Sequence, residues 1–225
     1  MTIALVFLAL ILATLLGWLL KQSFNTEPWV ADAVGETAHQ GPLGTNNRLI
    51  ALLTLLAVVS SFFALILSAY ALRMDLGDWV PLSEPQLLWA NTAMLVVASV
   101  VFQWTRNAAV QQQTAKLAPG LIVTGLLTTA FVVGQFVAWQ QLQASGQFIT
   151  NNPANAFFYF LTGAHAVHIV GGMYVWARAT IKVILGKGDD PAENRAIARS
   201  IELCTIYWHF LLLVWLVLFG LLLST

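Results

Sequence analysis

GAHAVHIVGG, residues 163–172, sets two imidazoles, His165 and His168, three residues apart inside an apolar run that extends from about 154 to 185. A helix needs about 20 apolar residues to cross a bilayer, and this run exceeds that. The histidines then need a reason, because ionisable groups are costly in hydrocarbon. Composition agrees with a membrane setting. Of 225 residues, 59% are hydrophobic and 9% charged, and the mean hydropathy is +0.77; a soluble domain carries about 25% charged residues. The class implied is an all-α integral membrane bundle. A formal net charge of zero removes the case for nucleic-acid binding. The lone cysteine, Cys204, rules out an intrachain disulfide and a CxxC redox pair. No Gly-rich phosphate loop, GxSxG or HExxH occurs.

Working outward, six stretches have the length and apolarity of spans: 2–20, 48–74, 86–106, 118–142, 154–185 and 197–224. The last two exceed a minimal span, which implies tilt or extension past the bilayer. The first has no basic n-region and no small-residue cleavage site, so it reads as a retained helix rather than a signal peptide. Nine of the ten cations fall on one side: Lys21, Arg48, Arg106, Lys116, Arg178, Lys182, Lys187, Arg195 and Arg199. Only Arg73 falls on the other. The positive-inside rule places both termini in the periplasm. The chain reads as a single membrane domain, 1–225, with an extra N-terminal helix at 1–20. Trp79 and Trp89 suit the interface of the acidic loop 75–85. Asp190–Pro191 marks the start of the last helix. Ser60, Ala64 and Ser68, and likewise Gly120, Thr124 and Thr128, recur every four residues. Small residues so spaced let helices approach closely, within the chain or against a partner subunit.

The intramembrane ionisable residues are few: His165 and His168 on the fifth span, Glu202 and His209 on the sixth. Seven residues are about two turns, so Glu202 and His209 share a helix face. The spacing of His165 and His168 likewise gives them a common face. A short turn makes the two helices antiparallel neighbours, with His168 and His209 at similar depth. A His–His or Glu–His link between them is one expectation. Three readings compete: a copper, zinc or haem site, a proton or substrate relay, and a structural role in which the imidazoles fix helix packing. Spacing favours the third.

Two motifs then resemble a known family. FYFLTGAHAVHIVGG (158–172) is similar to the TGxHxxHVxxG signature of subunit III of haem–copper terminal oxidases. IELCTIYWHFLLLVWLVLF (201–219) resembles the last helix of that family, where a Glu precedes YWHF. PLSEPQLLWANTAMLVVAS (81–99) and SSFFALILSAY (60–70) are similar to its other helices. The resemblance spans about 48–224, a five-helix core. It implies an accessory subunit that does no chemistry itself, in a complex that reduces oxygen to water and translocates protons. It implies no cofactor on this chain, with haem and copper in the partner catalytic subunit I. Subunit II and phospholipids are further partners, and the membrane is the bacterial inner one. Carried over, the matching positions are His165, His168, Glu202, Tyr207, Trp208 and His209, as structural, lipid or subunit contacts; Trp208 and Trp215 pack or anchor.

The chain departs from the family pattern at three places. Val59 stands where many members have an acid, Leu211 and Leu212 stand where many have Val-Asp, and one helix precedes the core instead of two or none. The departures suggest a divergent bacterial subfamily. They keep open a subunit-III-like protein of nitric oxide reductase, and a small transporter remains a further alternative.

Overall fold

Five of the apolar runs become helices for the reason their length suggests: in lipid only a helix satisfies every backbone group within one segment. The computed structural model describes residues 47–81, 86–186 and 191–224. The helices are α1 (Asn47–Met74), α2 (Leu87–Val110), α3 (Leu117–Ala144), α4 (Pro153–Leu185) and α5 (Pro191–Leu223). A 3-10 turn, Thr114–Lys116, precedes α3, and there is no strand among the described residues. All five helices are long and apolar enough to cross a membrane. The span expected at 2–20 lies outside the described residues. The last helix begins at Pro191, six residues before its apolar run, at the Asp190–Pro191 signal.

Local chemistry ends and starts these helices. Asn152 is extended and its side chain accepts from Ala154 N at 3.1 Å, with Pro153 in the first turn; Asn and Pro suit these positions because free N–H groups there need an acceptor and a preset φ. The Asn152 carboxamide also bonds both backbone groups of Val80, holding the loop after α1 to the start of α4. Gly146, at φ +80°, ends α3. Its N–H reaches Gln143 O at 3.0 Å and that of Gln147 reaches Leu142 O at 2.9 Å, a Schellman pattern. Arg73, in the last turn of α1, grips Asp78 of the following loop at 2.5 Å and holds its carboxyl below the usual carboxylate range.

α2, α3, α4 and α5 close into a ring, each packed on its chain neighbour, with α5 returning to α2. α1 lies outside this ring and, among the described helices, touches only α4 and α5. The α2–α3 contact is the most extensive because small residues line it. Gly120 of α3 meets Thr105 of α2, and Gly134 meets Asn91. The stripe Gly120–Thr124–Thr128 is buried inside the ring. The other stripe behaves differently: Ser60, Ala64 and Ser68 of α1 are exposed, while Val59, Phe63 and Tyr70 make its buried face. Val59 sits in an apolar cluster with Phe63, Leu161, Val214 and Leu218, and Leu211 lies in the main core beside Trp215.

Candidate functional site

Three consecutive residues of α5 point three ways, because each step along a helix turns about 100°. The Tyr207 hydroxyl donates to the backbone carbonyl of His168 on α4 at 3.0 Å. The Trp208 indole donates to Thr128 Oγ1 on α3 at 3.2 Å. The His209 ring joins Ser99 through Nδ1 and Gln103 Oε1 through Nε2 at 3.0 Å, both on α2. About two turns from His209 toward the basic end, Glu202 pairs with Arg106 of α2 at 2.8 Å. Toward the opposite end, the Trp215 indole donates to Thr92 Oγ1 of α2 at 2.9 Å. The last helix is therefore tied by polar bonds to every other member of the ring.

The α4 histidines differ from one another. His165 is fully buried, stacked on Trp215 with centroids 5.3 Å apart and edge-on to Phe131 at 6.2 Å. Neither of its ring nitrogens has a hydrogen-bond partner among the described residues. His168 is half-buried, bonds Ala164 O through Nδ1 at 2.7 Å and packs on Phe63 of α1 at 5.5 Å. The common face expected from their spacing is not a common environment: three residues leave the two rings about 60° apart on α4, enough to put them on either side of the wall of the ring. One faces its interior and the other faces α1.

The expected His–His or Glu–His link between the last two helices is not what forms. Tyr207 already faces α4, and two residues further the chain has turned about 200°, which aims His209 at α2. Glu202 and His209 do share a face, and that face meets α2. Arg106, read in the sequence only as a topological cation, is the partner of Glu202. The Trp–Thr bonds, including Trp139 to Thr162 at 3.0 Å, escaped the sequence reading because a threonine inside an apolar run carries no signal of its partner. Asn91 and Gln135, buried and joined at 3.5 Å, were missed likewise.

No group of three or more His, Cys, Asp or Glu among the described residues is placed to hold a metal. His165 is enclosed by aromatic rings, while His168 and His209 engage other helices. Of the three rings, His209 alone hydrogen-bonds another helix among the described residues, while His168 bonds its own and packs on α1. Beside them a cleft of about 460 Å³ opens between α1, α4 and α5. Leu52, Leu55, Val175 and Leu203 line it, with Arg48 and Ser200 toward the basic end and Gly171 and Gly172 flattening its α4 wall.

Comparison with known proteins agrees with this arrangement. A family model described as cytochrome c oxidase subunit III matches residues 3–223. The probable cytochrome c oxidase subunit 3 of Nocardia farcinica is 30% identical over 71% of this chain and 78% of its own length. Cytochrome c oxidase subunit 3 of Synechocystis is 25% identical over 89% of this chain and 83% of its own. The Drosophila yakuba protein of the same name is 27% identical over 85% and 75%. A family match across almost the whole chain, on a bundle whose signature residues tie its helices together, shows that this chain belongs to the cytochrome c oxidase subunit III family, the accessory subunits of haem–copper oxidases.

Proposed function

We propose that the chain is the accessory subunit III of a bacterial haem–copper respiratory oxidase, seated beside catalytic subunit I, which carries the haem and copper, with subunit II completing the core. The observation that carries the reading is the Tyr207–Trp208–His209 triplet, whose polar atoms all join one helix to another. Such a bundle offers a partner a surface braced from within. The relatives named above bear the oxidase name, so the nitric oxide reductase alternative is not favoured. A transporter needs a polar path, and the walls of the cleft between α1, α4 and α5 are mostly apolar.

Orientation follows from charge: the end bearing Arg106, Lys116, Lys182, Arg195 and Arg199 faces the cytoplasm, and the chain ends face the periplasm. The first helix, 1–20, is an addition to the 48–224 core. The cleft between α1, α4 and α5 suits a phospholipid acyl chain, with Arg48 and Ser200 at headgroup level. His165, His168, Glu202, Tyr207, Trp208 and His209 serve packing and contact rather than catalysis.

A mild-detergent pull-down of the tagged chain tests this reading. A reduced-minus-oxidised haem spectrum together with a large catalytic subunit supports it. A colourless chain without a partner, in a detergent that preserves such complexes, refutes it. His209→Ala removes two bonds to α2, each worth about 0.6–2 kcal/mol in membrane proteins. Its expected effect is a lower yield of assembled oxidase with an unchanged haem spectrum per complex. Normal subunit content with abolished haem reduction contradicts it.

A further inference from the structure

Four polar atoms inside the ring are buried without a hydrogen-bond partner among the described residues: both ring nitrogens of His165, Asn91 Oδ1 and Gln135 Nε2. The three side chains are 0%, 0% and 2% exposed. Their contacts put them at one level. His165 stacks on Trp215 of α5, and the Trp215 indole bonds Thr92, the residue after Asn91 on α2. His165 also stands edge-on to Phe131 of α3, about one turn before Gln135, and Gln135 meets Asn91. Turning the carboxamides over does not help. Asn91 Nδ2 and Gln135 Oε1 share one contact, at 3.5 Å; reversing both amides swaps donor and acceptor there and still leaves one atom of each without a partner. Gly134 makes the space for the Asn91 carboxamide, since a Cβ there would stand 2.2 Å from Oδ1.

Polar groups buried inside a bundle are satisfied by protein or by bound water. The free atoms here say what the ligand must be. One is an amide oxygen that accepts, one an amide nitrogen that donates, and a neutral imidazole adds one donor and one acceptor. No carboxylate, lysine or arginine belongs to the set, so an ion finds no counter-charge. No group of three His, Cys, Asp or Glu among the described residues could hold a metal. The set suits a neutral molecule that both donates and accepts, and the aromatic rings around His165 restrict it to a small one. Water meets both conditions. The packing is also looser at this level than beside it. Phe131 and Trp215 lie 5.0 Å apart, whereas the imidazole stands 6.2 Å from Phe131. The Asn91–Gln135 contact, at 3.5 Å, is at the outer limit of a direct hydrogen bond, the range in which water bridges.

We propose that this level of the ring interior is a bound-water site, in which water donates to Asn91 Oδ1, accepts from Gln135 Nε2 and bonds the His165 ring. The inference concerns the bundle itself and stands apart from the oxidase reading. X-ray radiolysis of the full chain, in the complex it purifies with, tests it, because hydroxyl radicals made from a bound water oxidise the side chains beside it. Phe131 and Phe102 are matched rings, 1% and 0% exposed. Phe102 packs on Trp208 in a separate cluster, to which none of the four unpartnered atoms belongs. The expected result is oxidation of Phe131 several-fold faster than of Phe102. Equal rates overturn the site and leave His165 dry, with its N–H against the aromatic rings. As a second arm, Gln135→Leu and His165→Leu each remove bonds to the water. Both lower the Phe131 rate toward that of Phe102, whose own rate stays unchanged. Excess oxidation of Phe131 that survives in both variants shows water that these groups do not hold, and overturns the assignment. If either variant fails to fold, the wild-type comparison of the two rings still decides.

Discussion

Gly120→Ala unfolds in detergent well below the wild type, and Gly120→Val yields little folded chain. An added Cβ at Gly120 stands 2.1 Å from Thr105 Oγ1, 3.1 Å from its Cβ and 3.2 Å from its Cγ2. Rotating the threonine gives no escape, because its own Cβ is already close and its hydroxyl is bonded to Val101 O at 2.8 Å. The α2 backbone has to move, and α2–α3 is the tightest contact of the ring. Overpacking of this kind costs about 1–3 kcal/mol, more than the roughly 0.8–1 kcal/mol that Ala gains over Gly in helix propensity. Gly220→Ala is the matched control. Nothing lies within 4 Å of a Cβ at Gly220, so only the propensity gain remains and the variant melts at or above wild type. If Gly120→Ala and Gly220→Ala melt alike, the close approach of α2 and α3 is not what holds this pair.

These glycines show where sequence legibility ends. Helix type was readable, because bilayer thickness imposes a length that an apolar chain displays openly; five of the six expected stretches fall on described residues, and all five are helices. The seven-residue spacing of Glu202 and His209 was readable as one shared face. Which helix that face meets was not, since spacing gives an angle about one axis and says nothing of the neighbour's place. The Ser60–Ala64–Ser68 and Gly120–Thr124–Thr128 stripes looked equivalent, yet one is exposed and the other buried. Identical periodicity cannot separate an internal contact from a surface for another chain. YWHF sends three consecutive side chains to three different helices, which neither the spacing nor the motif had specified.

Val59 illustrates the complementary point. Where many members of the family have an acid, Val59 is buried to 4% exposure in an apolar cluster with Phe63, Leu161, Val214 and Leu218. A carboxyl at such a place needs a partner within the site or must be neutral. The apolar side chain and its apolar surroundings are mutually consistent. The polar groups of this bundle concentrate instead on the α2 side of α5, which is where the contribution of charge to its stability is expected to lie.

Arg106→Leu and Glu202→Leu each weaken the assembled oxidase, and the double variant is weakened less than either. The pair is joined at 2.8 Å with both side chains about one-third exposed (33% and 34%). Removing one member of a fully buried pair costs about 3–5 kcal/mol, because the other charge is stranded, whereas an exposed pair contributes about 0–1 kcal/mol. Partial exposure places each single variant between these limits, at about 1–3 kcal/mol. Two leucines strand no charge, and an apolar replacement of a buried pair is often neutral. Thermal dissociation of the complex, followed by loss of co-purifying haem, measures all three. Losses that add in the double variant mean the two residues act apart, for instance with one bound to the catalytic subunit instead. Glu202→Gln separates structure from proton chemistry: its remaining amide oxygen still accepts from Arg106, so assembly and pumping are both retained. Normal assembly with pumping selectively lost makes Glu202 a proton relay and removes it from the set of purely structural ties.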